Sequence, residues 1–155
     1  MNYLSPNNKK YLLINSCSKN KKTLYGVKAV DLYDGPAFKI IRRYKPKNVD
    51  LLILSAKYGL IKGDDVIDYY DEKMTPSKAK TMSGDIRDTL QIVIEKFRYD
   101  EIFINLGKDY MLALKNTDDL LANLNVLYAQ GPIGMRLHQL KQWLLSKGGA
   151  GIDLR

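Results

Sequence analysis

Cysteine, histidine and tryptophan each occur once in this chain of 155 residues, and phenylalanine only three times. The single cysteine, Cys17, excludes an internal disulfide framework and any zinc site built on several thiolates. The single histidine, His138, lies within an amphipathic helical pattern near the C-terminus and reads as a structural or surface residue. A Cys–His thiol enzyme is therefore not indicated. Long apolar runs are missing too: none approaches the ~20 residues that span a bilayer. The start, Met1-Asn2-Tyr3-Leu4-Ser5-Pro6, has no signal-peptide core, so a cytoplasmic location is the expectation. There is no Gly-rich loop ending in Gly-Lys-Ser/Thr and no Gly-x-Gly-x-x-Gly. Nicotinamide and flavin are not indicated, and the expected cofactor and metal content is none.

What is present is ordinary for one globular domain: 45% hydrophobic and 27% charged residues. The reading is a single domain over 1–155, with 148–155 a frayed tail. The charge is unevenly placed. Residues 1–50 carry 11 Lys/Arg against 3 Asp, whereas the remainder is balanced at 14 against 14. The net charge of +8 thus belongs to the first third. Such asymmetry suits a polyanionic partner, most often nucleic acid, and equally a solvated lysine-rich surface.

Four apolar runs, at 11–15, 51–54, 101–106 and 125–129, read as strands buried on both faces, because none alternates. Helical patterns separate them at 37–44, from Thr75-Pro76 to 97 with a break near Ser83-Gly84, at 110–114 and at 133–146. Alternating strands and helices predict an α/β three-layer sandwich with a mostly parallel central sheet of four or more strands.

Ligands of such sheets bind outside the carboxyl ends of the strands. The segments 16–22, 55–74, 107–110 and 130–136 fall there, and they are rich in small, hydroxyl and basic residues. Small residues let backbone approach a ligand, while Ser, Lys and Arg hold phosphate or carboxylate. The candidates for substrate binding are Ser16, Cys17, Lys19, Ser55, Tyr58, Gly59, Gly107, Tyr110, Gly131 and Arg136. Lys19, Lys21, Lys22, Arg42 and Arg43 are the candidates for contact with nucleic acid. Cys17 also reads as a small pocket-wall residue, and Trp143 as core.

Segment 55–74 shows little periodicity and holds Asp64, Asp65, Asp68, Asp71 and Glu72. Their spacing fits no EF-hand, since Gly63 precedes the acids. They form either a solvated acidic loop or a source of catalytic carboxylates, with Asp68, Asp71 and Tyr70 as candidates. A carboxylate against tyrosine rings loses hydration, and its pKa rises toward a range suited to acid–base work. Tyr58, Tyr69, Tyr70 and Tyr110 can stack on a base.

The run Leu54-Ser55-Ala56-Lys57-Tyr58-Gly59-Leu60, followed by Asp65-Val66-Ile67 and Tyr70-Asp71, resembles the YaaA family of peroxide-stress proteins and the shorter YaaA-like domains. Ile14 to Lys19, Asp31 to Gly35 and Ile104 to Tyr110 are similar to the family's other segments in the same order, so the resemblance covers about residues 11–145. It implies a compact α/β fold and DNA binding in protection from oxidative damage. The chain departs from YaaA in its length and in having Asp71, where an Arg follows the tyrosine there.

Three functions remain open. The first is an enzyme acting on a nucleobase or its N-glycosidic bond, glycosylase-like, either hydrolase or transferase. The second is a non-catalytic DNA-binding protein of the oxidative-stress response. The third is a regulatory nucleotide-binding module. The expected partner is a nucleotide or nucleic acid, DNA rather than RNA, and no membrane.

Overall fold

The computed structural model describes residues 9–148. Apart from Gly148, the tail expected to fray lies outside them. The apolar runs form β1 (Tyr11–Ser16), β3 (Val49–Ser55), β6 (Glu101–Asn105) and β7 (Val126–Tyr128). Between and after them come β2 (Val27–Lys28), α1 (Ala29–Leu32), α2 (Pro36–Tyr44), β4 (Gly59–Lys62) and β5 (Val66–Ile67). The helices α3 (Pro76–Lys96), α4 (Lys108–Leu114), α5 (Asp118–Leu121) and α6 (Ile133–Lys147) complete the chain.

The main sheet has five strands in the order β4-β3-β1-β6-β7. β1 runs parallel to β3 and β6, β6 runs parallel to β7, and only β4 is antiparallel. Leu12, Leu13 and Ile14 in the central strand are wholly buried because the sheet is covered on both sides. One apolar core holds Ala79, Ile86 and Leu90 of α3 with Ala113 and Leu114 of α4, against Leu12, Ile14 and Ile102. The other holds Phe38 and Ile41 of α2 and Leu140 and Trp143 of α6, against Leu13, Ile53 and Phe103. This is the expected α/β sandwich, and burying each of its Leu, Ile and Phe side chains contributes roughly 1.5–3 kcal/mol.

Four local expectations differ from the structure. Segment 55–74 is not one loop: β4 pairs back on β3, and β5 pairs antiparallel with β2 in a second, two-stranded sheet. The edge of β3 has free backbone groups, and a neighbouring chain segment satisfies them. Helix α3 runs unbroken through Ser83-Gly84, because Gly84 is exposed and the packed residues Ala79, Ile86 and Leu90 lie to either side. A glycine there costs about 1 kcal/mol without breaking a helix held by packing. Helix α4 begins at Lys108, before the expected 110, capped by Gly107. Lastly, β7 is an edge strand with Leu127 and Tyr128 exposed, whereas β1, β3 and β6 are buried on both faces. Trp143 is core, as expected, stacked on Phe103 at 5.1 Å between ring centres.

Candidate functional site

After β1 the chain crosses to the face carrying α1 and α2, and after β6 to the face carrying α4 and α5. These opposite departures open a crevice between the carboxyl ends of β1 and β6, where open α/β sheets bind ligands. A cavity of about 230 Å³ occupies that place. Ser16, Cys17 and Ser18 form one wall and Asn105, Gly107 and Tyr110 another, while Arg136 closes it from α6.

The first turns of α2 and α6 reach the cavity through Pro36, Ala37 and Ile133, and neither helix has a side-chain N-cap. In α2 Pro36 has no N–H and those of Phe38 and Lys39 donate to the Gly35 carbonyl, so Ala37 and the first turn of α6 supply the unpaired N–H groups that give this edge a positive potential. Gly35 allows the approach of α2: a Cβ there would stand 2.8 Å from that of Ser18, whose hydroxyl accepts the Gly35 N–H at 3.2 Å.

The floor is a chain of amides with a defined polarity. Arg136 can only donate, so the oxygen of Asn105 faces its Nη1 at 3.3 Å. The Asn105 amide nitrogen then donates to Asn15 Oδ1 at 2.8 Å, and Asn15 Nδ2 donates to the Ser16 carbonyl at 2.9 Å. Asn15 and Asn105 are buried at the ends of apolar strands and hold the guanidinium from behind. No carboxylate of the described residues pairs with Arg136, which leaves its charge available to an anionic ligand.

Beside the crevice lies a buried hydroxyl relay. Ser55 Oγ accepts the backbone N–H groups of Lys57 and Tyr58 at 3.1 and 3.0 Å. Its lone pairs are then used, so it donates to the Tyr70 hydroxyl at 2.9 Å, and Tyr70 donates to Tyr33 at 2.7 Å. Burial pushes the Tyr33 phenol up to about 12, against the lowering effect of its hydrogen bonds to Ser55 and Tyr70. Burial, with Cys17 and Tyr33 nearby, raises Tyr70 as well. Burial and then Cys17, whose sulfur is 3.0 Å from its hydroxyl, raise Tyr110. These phenols keep their protons at neutral pH.

Five of the expected substrate-binding residues meet in the crevice: Ser16, Cys17, Gly107, Tyr110 and Arg136. Ser55 and Tyr58 join Tyr70 instead, with the Tyr58 ring edge-on to Tyr70 at 5.5 Å. Gly59 opens β4 and Gly131 follows β7, with φ of +77° and +93°, and both lie outside the crevice wall. Lys19, Lys21 and Lys22 lie on the loop that leaves β1, and Lys21 Nζ stands 4.6 Å from the Tyr70 ring centre. Arg42 is turned inward: it donates to the carbonyls of Val30 and Tyr33 and to Asp34. Arg43 is exposed in the last turn of α2, the end opposite the one at the crevice.

The acidic residues scatter. Asp64 lines a separate cavity of about 330 Å³ with Lys45, Asp50 and Tyr99, near the amino ends of β1 and β3. The Asp65 carboxylate accepts the Lys62 N–H within its own turn. Asp68 and Asp71 are exposed and neither lines the crevice. Asp68 Oδ1 accepts the Gly26 N–H at 2.7 Å, so it ties two loops together. Among the described residues no group of three or more His, Cys, Asp or Glu is placed to hold a metal ion. No helix among them is long and apolar enough to cross a membrane. His138 is exposed on α6, and Cys17 is a wall residue of the crevice.

Asn15, Asn105, Ser18 and Tyr33 were not among the candidates read from the sequence. The signal for the two asparagines was there: each ends an apolar strand run, where a buried amide needs a partner.

Three comparisons bear on identity. The model of a family of unknown function (DUF6884) matches residues 12–142, nearly all of the described fold. No curated protein matches the chain. Among solved structures, the chain is similar to AF0587, a protein of unknown function, with a TM-score of 0.56 at 13% identity. The match covers 88% of this chain and 44% of that one, so the chain spans less than half the neighbour's length. At that identity the likeness concerns the fold alone.

Proposed function

The chain belongs to the DUF6884 family, and from that premise we propose that it is a nucleotide-binding protein whose ligand enters the crevice between β1 and β6. The observation that carries this reading is Arg136, set at the mouth of a switch-point cavity on neutral amides rather than on a carboxylate. A guanidinium so placed binds an oxyanion in charge-assisted, two-pronged fashion. The N-termini of α2 and α6 add backbone donors for a phosphate.

At about 230 Å³ the cavity is smaller than a typical ligand pocket, so it suits the phosphate and sugar while the base leans on the wall around Tyr110. Lys19, Lys22 and Lys57 on loops, and Lys108 in the first turn of α4, are exposed at the same edge and would draw anions toward it. The resemblance to YaaA proteins points to DNA as the source of such nucleotides. A cytoplasmic setting agrees with the unpaired Cys17.

A second reading, action on the N-glycosidic bond, is favoured by one observation: the Tyr110 hydroxyl stands in the crevice wall, where it can hydrogen-bond a departing base, although burial raises its pKa and makes it a weak acid. Hydrolysis also needs a carboxylate near the sugar, and Asp68 and Asp71 lie outside the cavity wall. Binding therefore stands ahead of catalysis.

The test is calorimetric titration of the full chain with nucleoside monophosphates, with mass spectrometry of the mixtures for released base. Binding is expected, and Arg136→Gln should weaken it roughly tenfold to a hundredfold, the value of a charge-assisted hydrogen bond. Absence of binding by every nucleotide, or an unchanged affinity in the variant, would reject the reading. Release of base by the wild-type chain would move the second reading to the front.

A further inference from the structure

The loop that leaves the crevice carries an aromatic side chain that the core does not use. Tyr25 is 67% exposed and its neighbour Leu24 is 42% exposed, in the sequence Lys21-Lys22-Thr23-Leu24-Tyr25-Gly26-Val27-Lys28. An exposed tyrosine on a slack loop would mean little, but this loop is held at several points. Lys22 N–H donates to the Leu32 carbonyl at 2.8 Å, and Tyr69 N–H to the Leu24 carbonyl at 2.9 Å. Gly26, at φ +66°, donates to Asp68 Oδ1 at 2.7 Å. Then β2 pairs with β5 through Val27 and Ile67. The ring is thus displayed from a braced turn, and the acidic segment supplies the brace.

Around it lysines predominate, and the Asp68 carboxylate against the same turn is held by the Gly26 N–H. Lys19, Lys21 and Lys22 precede Tyr25, and none of the three is in a salt bridge with a described residue. Lys28 follows, in a long and exposed pair with Asp64 at 3.9 Å. A flat ring and an apolar neighbour among free lysines match a strand whose bases are unpaired: phosphates meet the ammonium groups and one base stacks on the ring. Duplex DNA offers the phosphates but keeps its base faces inside the stack.

We infer that residues 19–28 form a stacking platform for single-stranded nucleic acid, with Tyr25 as the base-stacking residue, Lys19 and Lys22 as phosphate contacts and Asp68 as the residue that positions the turn. The inference rests on the reading of this sheet edge as a nucleotide site and names the form in which the nucleotide arrives. The same loop begins at Cys17 and Ser18 in the crevice wall, so a strand lying along it is led to the crevice.

The experiment is fluorescence anisotropy of the full chain with a labelled oligothymidylate of about twelve nucleotides, within the site sizes of such grooves. The same-length duplex and thymidine monophosphate are measured alongside, the latter by calorimetry. The single strand should bind more tightly than the duplex. Tyr25→Ala should weaken it about tenfold, the value of one stacked base, while Tyr25→Phe, which keeps the ring, restores it. A Lys19→Gln, Lys22→Gln double variant should flatten the slope of log affinity against log salt by about 1.4, at ~0.7 per lost contact.

Equal affinity for duplex and single strand, or oligothymidylate affinity indifferent to Tyr25→Ala, overturns the platform. If that happens while the monophosphate still binds and responds to Arg136→Gln, the crevice reading survives and only the platform falls. If the monophosphate fails to bind yet the oligonucleotide depends on Tyr25, the platform stands and the crevice reading falls. If neither binds, both are overturned.

Discussion

Replacing Tyr70 by Phe keeps a buried ring in place and removes one oxygen from the centre of a relay. In the wild-type chain that oxygen accepts from Ser55 at 2.9 Å and donates to Tyr33 at 2.7 Å. Without it, the Ser55 proton has no acceptor in a fully buried position, and the Tyr33 hydroxyl loses its donor. An unsatisfied buried polar group costs about 1–3 kcal/mol, and a phenylalanine ring of the same shape leaves no cavity to add to it. Tyr70→Phe should therefore lower the unfolding free energy by about 2 kcal/mol, read as a lower urea midpoint at an unchanged slope.

Ser55→Ala should cost more, because it strands the N–H groups of Lys57 and Tyr58 as well. The double variant should fall short of the sum by at least 0.5 kcal/mol or so, since the two residues share one bond. The relay also carries a pH signature. The Tyr33 phenol is raised from 10.0 to about 12, so the native state favours the protonated form. Its contribution is complete below pH 10 and is lost as pH rises from 10 through 12. At about 1.36 kcal/mol per pH unit that is nearly 3 kcal/mol, and Tyr70→Phe should enlarge it, because the Tyr70 hydrogen bond holds the Tyr33 pKa down. The measurement is urea unfolding from pH 8 to 12 by circular dichroism. A loss under about 0.5 kcal/mol at neutral pH, with an unchanged alkaline limb, would refute the hydrogen-bond relay.

Other outcomes are expected alongside. Asp68→Asn keeps an oxygen for the Gly26 N–H and should retain oligonucleotide binding, whereas Asp68→Ala should weaken it toward the level of Tyr25→Ala; equal damage by both, measured by anisotropy, would return Asp68 to a role as a charge. Glu101 takes hydrogen bonds from Lys147, Trp143 and Asn125, which outweigh the upward push of burial and lower its pKa. Its contribution is thus present above the usual carboxylate range and lost on acidification, so Glu101→Gln should cost about 1–2 kcal/mol at neutral pH and flatten the acid limb of urea stability. Leu140→Ala, in the wholly buried face of α6, should cost 2–5 kcal/mol in the same assay while leaving the alkaline limb unchanged.

Four of the seven strands, and the class of fold, follow from the amino-acid sequence. The residues of β1, β3 and β6 are apolar without alternation, a pattern that only a sheet covered on both faces satisfies, and the helices between them impose parallel crossovers. The sequence also placed the edge at which the crevice opens, because the carboxyl ends of parallel strands all point one way. Ser16, Cys17, Gly107, Tyr110 and Arg136 could be named as pocket residues for that reason.

Strand order was a different matter. The switch between β1 and β6 depends on which face each crossover takes, a property of packing between segments far apart in the chain. So the pairing of Asn15 with Asn105, 90 residues away, appears only in the folded molecule. The acidic segment shows the same limit. Read alone, Asp68 is one carboxylate in a polar stretch, and its role at Gly26 across 42 residues exists only once β2 and β5 have paired. Local periodicity records which side chains must be buried, because burial is a property of each residue. The partner of a polar group is set by the path of the whole chain, which exists only once distant segments have packed.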